Sequence, residues 1–217
     1  MAPNTLSQIQ QTGTGVAFIV FPLVFVFAFA LHPRLLRPRL LRPEEIMSRA
    51  RGQKPLHLGH ALVLLNTGFL IVASVHFMSI LGGSEGAWAG FLGAIPAILG
   101  AVILAADKGA LCLTMSALDA VPDAEFAAMR PGLLAIFAKK GWLWLLWGIV
   151  LLPTGFVIQT VGLLQAQALP PWQSVLFLVG VLFVGTPDGL EIVNLSASVL
   201  MAIAMVPYGI RLIANAL

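Results

Sequence analysis

Long segments without a single Lys, Arg, Asp or Glu are the feature that most constrains how this chain can fold. A helix needs about 20 apolar residues to cross a hydrocarbon core of about 30 Å, because each residue adds about 1.5 Å. Loops and open strands cannot pair their backbone groups against lipid. The sequence therefore predicts an all-α, polytopic integral membrane helix bundle.

Six segments are predicted to span the membrane as helices. They are residues 15–32, 58–82, 87–107, 141–164, 172–186 and 190–212. Only 10% of the 217 residues are charged and 59% are hydrophobic, whereas charged residues make up about a quarter of a typical soluble domain. We expect the whole chain, 1–217, to form one multi-pass membrane domain in the plasma membrane or a bacterial inner membrane.

The distribution of basic residues predicts the orientation. Eleven of the 12 Lys and Arg residues fall in two connections, a basic loop at 33–57 and a connection at 108–140. Cytoplasmic loops are enriched in Lys and Arg, so both connections are predicted to be cytoplasmic and both termini to lie outside. Arg211 is the one basic residue on the other side.

The basic loop begins with HPRLLRPRLLRPEE, residues 32–45, in which the unit PRLLR occurs twice. Its prolines lack a backbone N–H and restrict the preceding residue, which breaks a regular helix. The strip can act as a topology anchor alone or can also contact anionic headgroups, at about 1 kcal/mol per basic residue. Candidate headgroup contacts are Arg34, Arg37, Arg39 and Arg42. EEIMSRARGQK, which follows, is predicted to form a short helix.

Small residues recur at fixed spacing in the third and fourth spans. The third span has Gly93, Ala97, Ala101 and Ala105 four residues apart, and the fourth has Gly148 and Gly155 seven apart. Close backbone approach across such ribbons holds membrane helices together, since no hydrophobic force drives helix against helix in lipid. Both ribbons are predicted to be packing surfaces.

A bulky stripe of phenylalanines occupies the first span. Its members are Phe18, Phe21, Phe25 and Phe29. Because the stripe offers no polar atom to another helix, it is expected to face lipid.

Polar residues inside the second span form one face. His60, Thr67 and Ser74 recur every seven residues, with Asn66 beside that face and His76 roughly opposite it. Polar groups at membrane depth are candidates for function. The simpler interpretation is hydrogen bonding between helices, at about 0.6 kcal/mol per contact; the other is a path for a solute, an ion or a proton.

The segment VGTPDGLEIVN, residues 184–194, carries two acidic residues next to a short span. Short or Gly/Pro-interrupted spans point to binding sites in transporters, so Asp188 and Glu191 are candidates for a solute or ion path. A surface hairpin with a locally thinned bilayer is the alternative.

Three histidines, His32, His57 and His60, lie near the cytoplasmic ends of the first two spans and are weak candidates for binding a cofactor. His57 and His60 form an HxxH pair, which lacks the third ligand of a metal site. No cofactor and no metal are predicted, with haem or a metal ion as the less favoured alternative. The single cysteine, Cys112, excludes an intrachain disulfide.

The sequence contains no P-loop or HExxH motif, and no catalytic residue is predicted. The favoured function is a non-catalytic membrane subunit or packing module of a larger complex. The alternative is a small-solute or ion permease or channel protomer that uses the polar face of the second span and the hairpin at 186–191. A lipid-modifying enzyme or cofactor carrier comes third.

Expected partners are anionic lipids and either identical copies or other membrane subunits, without nucleic acid.

Overall fold

A computed structural model of the protein describes residues 5–32, 35–138, 150–186 and 189–216. Within these residues the chain forms helices joined by turns, which confirms the predicted all-α helix bundle. In chain order the described helices are α1 (Thr5–Ala30), α2 (Pro43–Ala50), α3 (Lys54–Leu81), α4 (Ala87–Leu118), α5 (Asp123–Phe137), α6 (Leu151–Gln165), α7 (Pro171–Phe183) and α8 (Glu191–Ala214).

Four of the described helices are long and apolar enough to cross a membrane, namely α1, α3, α4 and α8. Two further apolar helices, α6 and α7, have 15 and 13 residues. The helix predicted at 141–164 is described only from its middle, because residues 139–149, including Gly148, lie outside the described part.

The predicted connection at 108–140 is largely helical. The third predicted span continues past residue 107, and α4 ends at Leu118, four residues before Pro122, which restricts the residue before it. Helix α5 then begins at Asp123. The short helix expected after the basic strip is α2, which carries Glu44 and Glu45 in its first turn, where acidic side chains favour a helix N-terminus.

The six apolar helices form a closed ring in the order α8, α1, α3, α4, α6, α7, with each helix packed against the next and α7 against α8. At one end of this ring lie the ends of α1 and α4 and the beginnings of α3 and α8, together with α2, α5 and the strip at 35–42; we call this the basic end. There the Sγ of Cys112 lies 3.6 Å from the carbonyl oxygen of His57. Arg211 lies at the opposite end, beside Gln173.

Aromatic side chains fill the middle of the ring. Phe18 and Phe21 of α1 are fully buried, and the ring centroids of Phe77 and Phe156 lie 5.6 and 5.5 Å from that of Phe177, both in edge-to-face geometry. The expectation that the phenylalanine stripe faces lipid is therefore wrong for most of its length. Lipid and protein interior are equally apolar, so the stripe goes where edge-to-face ring pairs add about 0.5–1.5 kcal/mol each.

Helices α4 and α6 approach each other through small residues. A Cβ added at Gly155 would lie 2.5 Å from the carbonyl oxygen of Gly93 and 2.6 Å from the Cα of Ala97. Gly93, Ala97 and Ala101 are buried, whereas Ala105 is only half-buried. The ribbon of the third predicted span thus meets Gly155 of the fourth.

Candidate functional site

Helices α2 and α5 pack on each other and cover part of the basic end as a cap. A second apolar cluster joins this cap to α3 and α4, and its buried members are Met47, Ala50, Leu56, Met115, Leu118, Leu133 and Phe137. The Nη2 of Arg51 lies 2.8 Å both from the carbonyl oxygen of Val121 and from Oδ1 of Asp123. The end of α2 is thereby joined to the beginning of α5 by polar as well as apolar contacts.

His57 belongs to this attachment. Its Nε2–H donates to the carbonyl oxygen of Ala50 at 2.9 Å, and its Nδ1 lies 3.4 Å from Oδ2 of Asp119. The other oxygen of Asp119 accepts a hydrogen bond of 2.6 Å from the backbone N–H of Gly52. Both ring nitrogens of His57 therefore face groups of the protein itself, and the residue ties the turn between α2 and α3 to the end of α4.

Between the cap and the ring lies a cavity of about 70 Å³, which we call the basic cavity. A buried water occupies about 10–15 Å³ on this measure, so the cavity has room for roughly five waters. Its polar lining is His32, Arg49, His60, Lys108 and Glu191. Seven segments contribute to its wall, namely the turn after α1, the strip at 35–42, α2, α3, α4, α5 and α8, and the remaining lining is apolar.

Two of the predicted histidines meet at this cavity. His32 follows the end of α1, where its Nδ1 lies 3.0 Å from the carbonyl oxygen of Ala28. His60 comes from the second turn of α3, and the two rings lie edge to face with centroids 5.8 Å apart. His57 is absent from the lining. The three histidines are thus divided between two roles.

Lys108 reaches the cavity from α4. Its Nζ lies 3.3 Å from Oδ2 of Asp107, the preceding residue of the helix. Asp107 is only 4% exposed, and a buried carboxylate is costly unless a charged or hydrogen-bonding group lies beside it. The pair sits within the helix, since α4 runs on for about three turns beyond it.

Glu191 stands at the first residue of α8, with Oε1 accepting a hydrogen bond of 2.8 Å from the backbone N–H of Gly189. Asn194, which the sequence reasoning missed, accepts hydrogen bonds of 2.6 and 2.9 Å from the N–H groups of Gly185 and Thr186. An asparagine shortly after a Gly-Thr-Pro turn was the available signal. Asp188 lies outside the described residues.

The basic strip rests on this hairpin. The backbone N–H of Arg39 donates to the carbonyl oxygen of Gly189 at 2.9 Å. Gly189 has φ of +102°, and a Cβ there would strike the carbonyl oxygen of Arg39, so only glycine fits. The two segments that were predicted separately as a headgroup contact and a solute path are in direct contact.

The arginines of the strip point mainly to solvent. Arg37, Arg39 and Arg42 are exposed, and Arg34 lies outside the described residues. The Nη2 of Arg39 lies 2.6 Å from Oε1 of Glu45. A hydrogen bond from the backbone N–H of Arg42, followed by the Arg39 side chain, lowers the pKa of Glu45 below 4.5.

The polar face of α3 does not continue from the basic cavity as a chain of exposed groups. Thr67 donates to the carbonyl oxygen of Leu64 in its own helix at 2.7 Å. Ser74 is fully buried, and its carbonyl oxygen accepts a hydrogen bond of 2.9 Å from Nε2 of Gln159. Of the three residues predicted to share a path, only His60 lines the cavity.

Several polar side chains join one helix to the backbone of another. Asn66 of α3 donates to the carbonyl oxygen of Phe21 at 2.9 Å, and Gln173 of α7 donates to that of Ala204 at 2.7 Å. Gln159 bridges α6 to both α3 and α4. The two glutamines were missed, although a glutamine inside an apolar span is itself a signal.

Within the described residues no group of three or more His, Cys, Asp or Glu side chains is placed to hold a metal ion. The site that the fold does build is the basic cavity, with two imidazoles, two cationic side chains and one carboxylate over apolar walls. Comparisons of the chain with models of protein families, with curated proteins and with solved structures find no match.

Proposed function

We propose that the chain is a six-span protein of the plasma membrane or a bacterial inner membrane that serves as a non-catalytic membrane subunit or packing module of a larger complex. The observation that carries this proposal is the filled centre of the ring. Phenylalanines occupy it, and Asn66, Gln159 and Gln173 donate hydrogen bonds from one helix to the backbone of another. Such an interior stabilises a shape and leaves little room for a solute.

A small apolar gap in the centre of the ring also supports a structural role. A gap of about 20 Å³ lies among Phe21, Phe25, Phe156 and Phe177, and the side chains around it are apolar. That volume holds about one water, and a water needs two to four polar partners to stay. A permeating ion or polar solute would meet the same cost of desolvation.

Six spans and outside termini are the topology that we propose for this bundle. The closed ring favours counting α6 and α7 as spans, because they occupy places equivalent to those of the four longer helices. The gathering of basic side chains at one end favours placing that end in the cytoplasm. Arg37, Arg39 and Arg42 are then at the surface where anionic headgroups lie.

A permease or channel protomer is the second candidate, and the charged basic cavity is the observation in its favour. Glu191 and His60 of the predicted path line this cavity. Thr67 and Ser74 do not, and the aromatic centre lies beyond it. A structural role is therefore better supported than transport.

Purification at native expression level in mild detergent, followed by mass spectrometry, tests the subunit role. We expect a stoichiometric membrane partner, and an isolated homo-oligomer would contradict the proposal.

Flux of ions and small solutes into proteoliposomes tests the alternative, with Glu191→Gln compared with Glu85→Gln in the turn at the opposite end. We expect no flux above that of empty liposomes; flux that Glu191→Gln abolishes and Glu85→Gln preserves would establish transport instead.

A further inference from the structure

We propose that the basic cavity binds the headgroup of a membrane amphiphile, with the phosphate against Arg49, Lys108, His32 and His60 and a headgroup ammonium against Glu191. This inference goes beyond the role as a subunit, since it assigns a ligand to a site that packing between helices does not use. It rests on the cavity, on the charges that line it and on the apolar character of its walls.

The cationic side chains argue for a phosphate. Arg49 reaches the cavity from α2, Lys108 from α4, His60 from α3 and His32 from the turn after α1, so donors converge on one space from three helices and a turn. Charge-assisted hydrogen bonds from such donors to phosphate oxygens are about twice as strong as neutral ones. Asp107 offsets part of the charge of Lys108. Within the described part of the chain, Arg49 forms no ion pair with a carboxylate.

The apolar walls argue for an amphiphile. Leu56, Leu111, Met115, Ile136 and Phe137 line the cavity beside the charged groups. A free inorganic anion would leave these walls in contact with water. The first carbons of a lipid would cover them, at about 25 cal/mol per Å² of apolar surface removed from water.

Glu191 argues for a positive charge next to the phosphate. It enters from α8, which the ring separates from α4 by α1 and α3, so it faces the cavity from the side away from Lys108. Its Oε1 accepts the N–H of Gly189, and a carboxylate has a second oxygen that can accept from an ammonium group. A headgroup with phosphate and primary ammonium, such as phosphoethanolamine, matches this charge order. A purely anionic headgroup meets repulsion from the carboxylate.

Binding of short-chain phosphatidylethanolamine and phosphatidylglycerol to the purified full-length protein in detergent, measured by native mass spectrometry, tests the site. We expect tighter binding of phosphatidylethanolamine. Arg49→Gln and Lys108→Gln should each weaken both lipids by about tenfold or more, the loss of one charge-assisted hydrogen bond. Glu191→Gln should remove the preference for phosphatidylethanolamine. Arg130→Gln, on the exposed face of α5, should change neither affinity.

Two further experiments distinguish a lipid phosphate from free phosphate and control for misfolding of the variants. If inorganic phosphate or O-phosphoethanolamine displaced the bound lipid as effectively as the lipid itself does, the ligand would not need an apolar part, and the proposal of an amphiphile would be overturned. Ile46→Trp fills the cavity and keeps every charge, so it should also abolish binding. If the charge variants do not fold, a photoactivatable phosphatidylethanolamine on the native protein should label Leu111, Met115 or Phe137. Unchanged binding in Arg49→Gln and Ile46→Trp, or labelling confined to other residues, would overturn the proposal.

Discussion

Gln159 has the most consequential polar side chain in the interior, because it bonds to two neighbouring helices at once. It is fully buried, and its Nε2 donates to the carbonyl oxygens of Ser74 at 2.9 Å and Gly90 at 3.2 Å. Hydrogen bonds between membrane helices average about 0.6 kcal/mol and reach about 1.7 kcal/mol. One side chain thus links α6 to α3 and α4.

Gln159→Leu should lower the free energy of unfolding by about 1–2 kcal/mol, since it removes two hydrogen bonds and preserves most of the volume. Denaturation of the purified protein in mixed micelles by sodium dodecyl sulfate measures this quantity. Gln165→Leu is the matched control, because Gln165 is exposed at the end of the same helix. Equal effects of the two substitutions would contradict the role given to Gln159.

Glu45 should make the N-terminus of α2 sensitive to acid. Its pKa is lowered in the folded protein, so its contribution is present above the usual value of 4.5 and is lost as the pH falls through the folded pKa. Hydrogen exchange of the α2 amides should therefore be faster in Glu45→Gln than in the native protein at neutral pH, and the difference should vanish below the folded pKa. Glu44→Gln is the neighbouring control. A difference that persists in acid would refute this assignment.

Single residues also mark the limit of sequence reasoning. The apolar period of α1 was visible, but Phe18 and Phe21 proved to face the interior, because lipid and protein core attract phenylalanine about equally. The pairing of Asp107 with Lys108 was not predicted, because consecutive residues on a helix point in different directions and only the long lysine side chain bends back. Both errors concern where a side chain points, which hydropathy does not encode.

At the scale of elements, the contact between α4 and α6 depends on the absence of side chains. The backbones approach so closely at Gly155 that an added Cβ would meet backbone atoms of Gly93 and Ala97. Backbone atoms cannot rotate away as a flexible side chain can, so one helix must move. Packing of this kind gains dispersion energy only while both surfaces stay small.

Gly155→Ala should lower the free energy of unfolding by about 1–3 kcal/mol, the usual cost of overpacking. Gly68→Ala provides the control, because nothing lies within 4 Å of a Cβ at that exposed position of α3. There the gain in helix propensity, about 1 kcal/mol at most, should leave stability unchanged or slightly higher. If Gly155→Ala is as stable as Gly68→Ala, α4 and α6 are not in contact as described.

The positions of the helices were largely predictable, and their partners were not. Charge-free segments located the helices because the cost of burying a charge or an unpaired backbone group is large. The ribbon at Gly93 and Ala97 indicated a packing face, yet it could not say that Gly155 would meet it, since several helices offer small residues. The length of α4 was also underestimated, because the predicted span ended at residue 107 whereas the helix ends at Leu118.

For the whole molecule, closure of the ring determines which distant segments meet. Closure brings α8 back against α1, so the hairpin before α8 meets the basic strip after α1, at the bond from Arg39 to Gly189. It also assembles the basic cavity from residues between His32 and Glu191. No local sequence pattern signals such a cavity, which is why His32 and His60 were grouped as cofactor candidates, and His60 and Glu191 as parts of a solute path, but the three were never placed in one site.

Labelling of single cysteines with a membrane-impermeant maleimide tests the central claim, a filled bundle with its basic end in the cytoplasm. Cys112→Ser provides the background, because Cys112 is the one cysteine of the chain. We predict that Glu85→Cys is labelled in intact cells, that Ser48→Cys is labelled only after permeabilisation, and that Ser74→Cys resists labelling in both. Labelling of Ser48→Cys in intact cells with protection of Glu85→Cys would invert the orientation. Labelling of Ser74→Cys in the folded protein would contradict the filled centre.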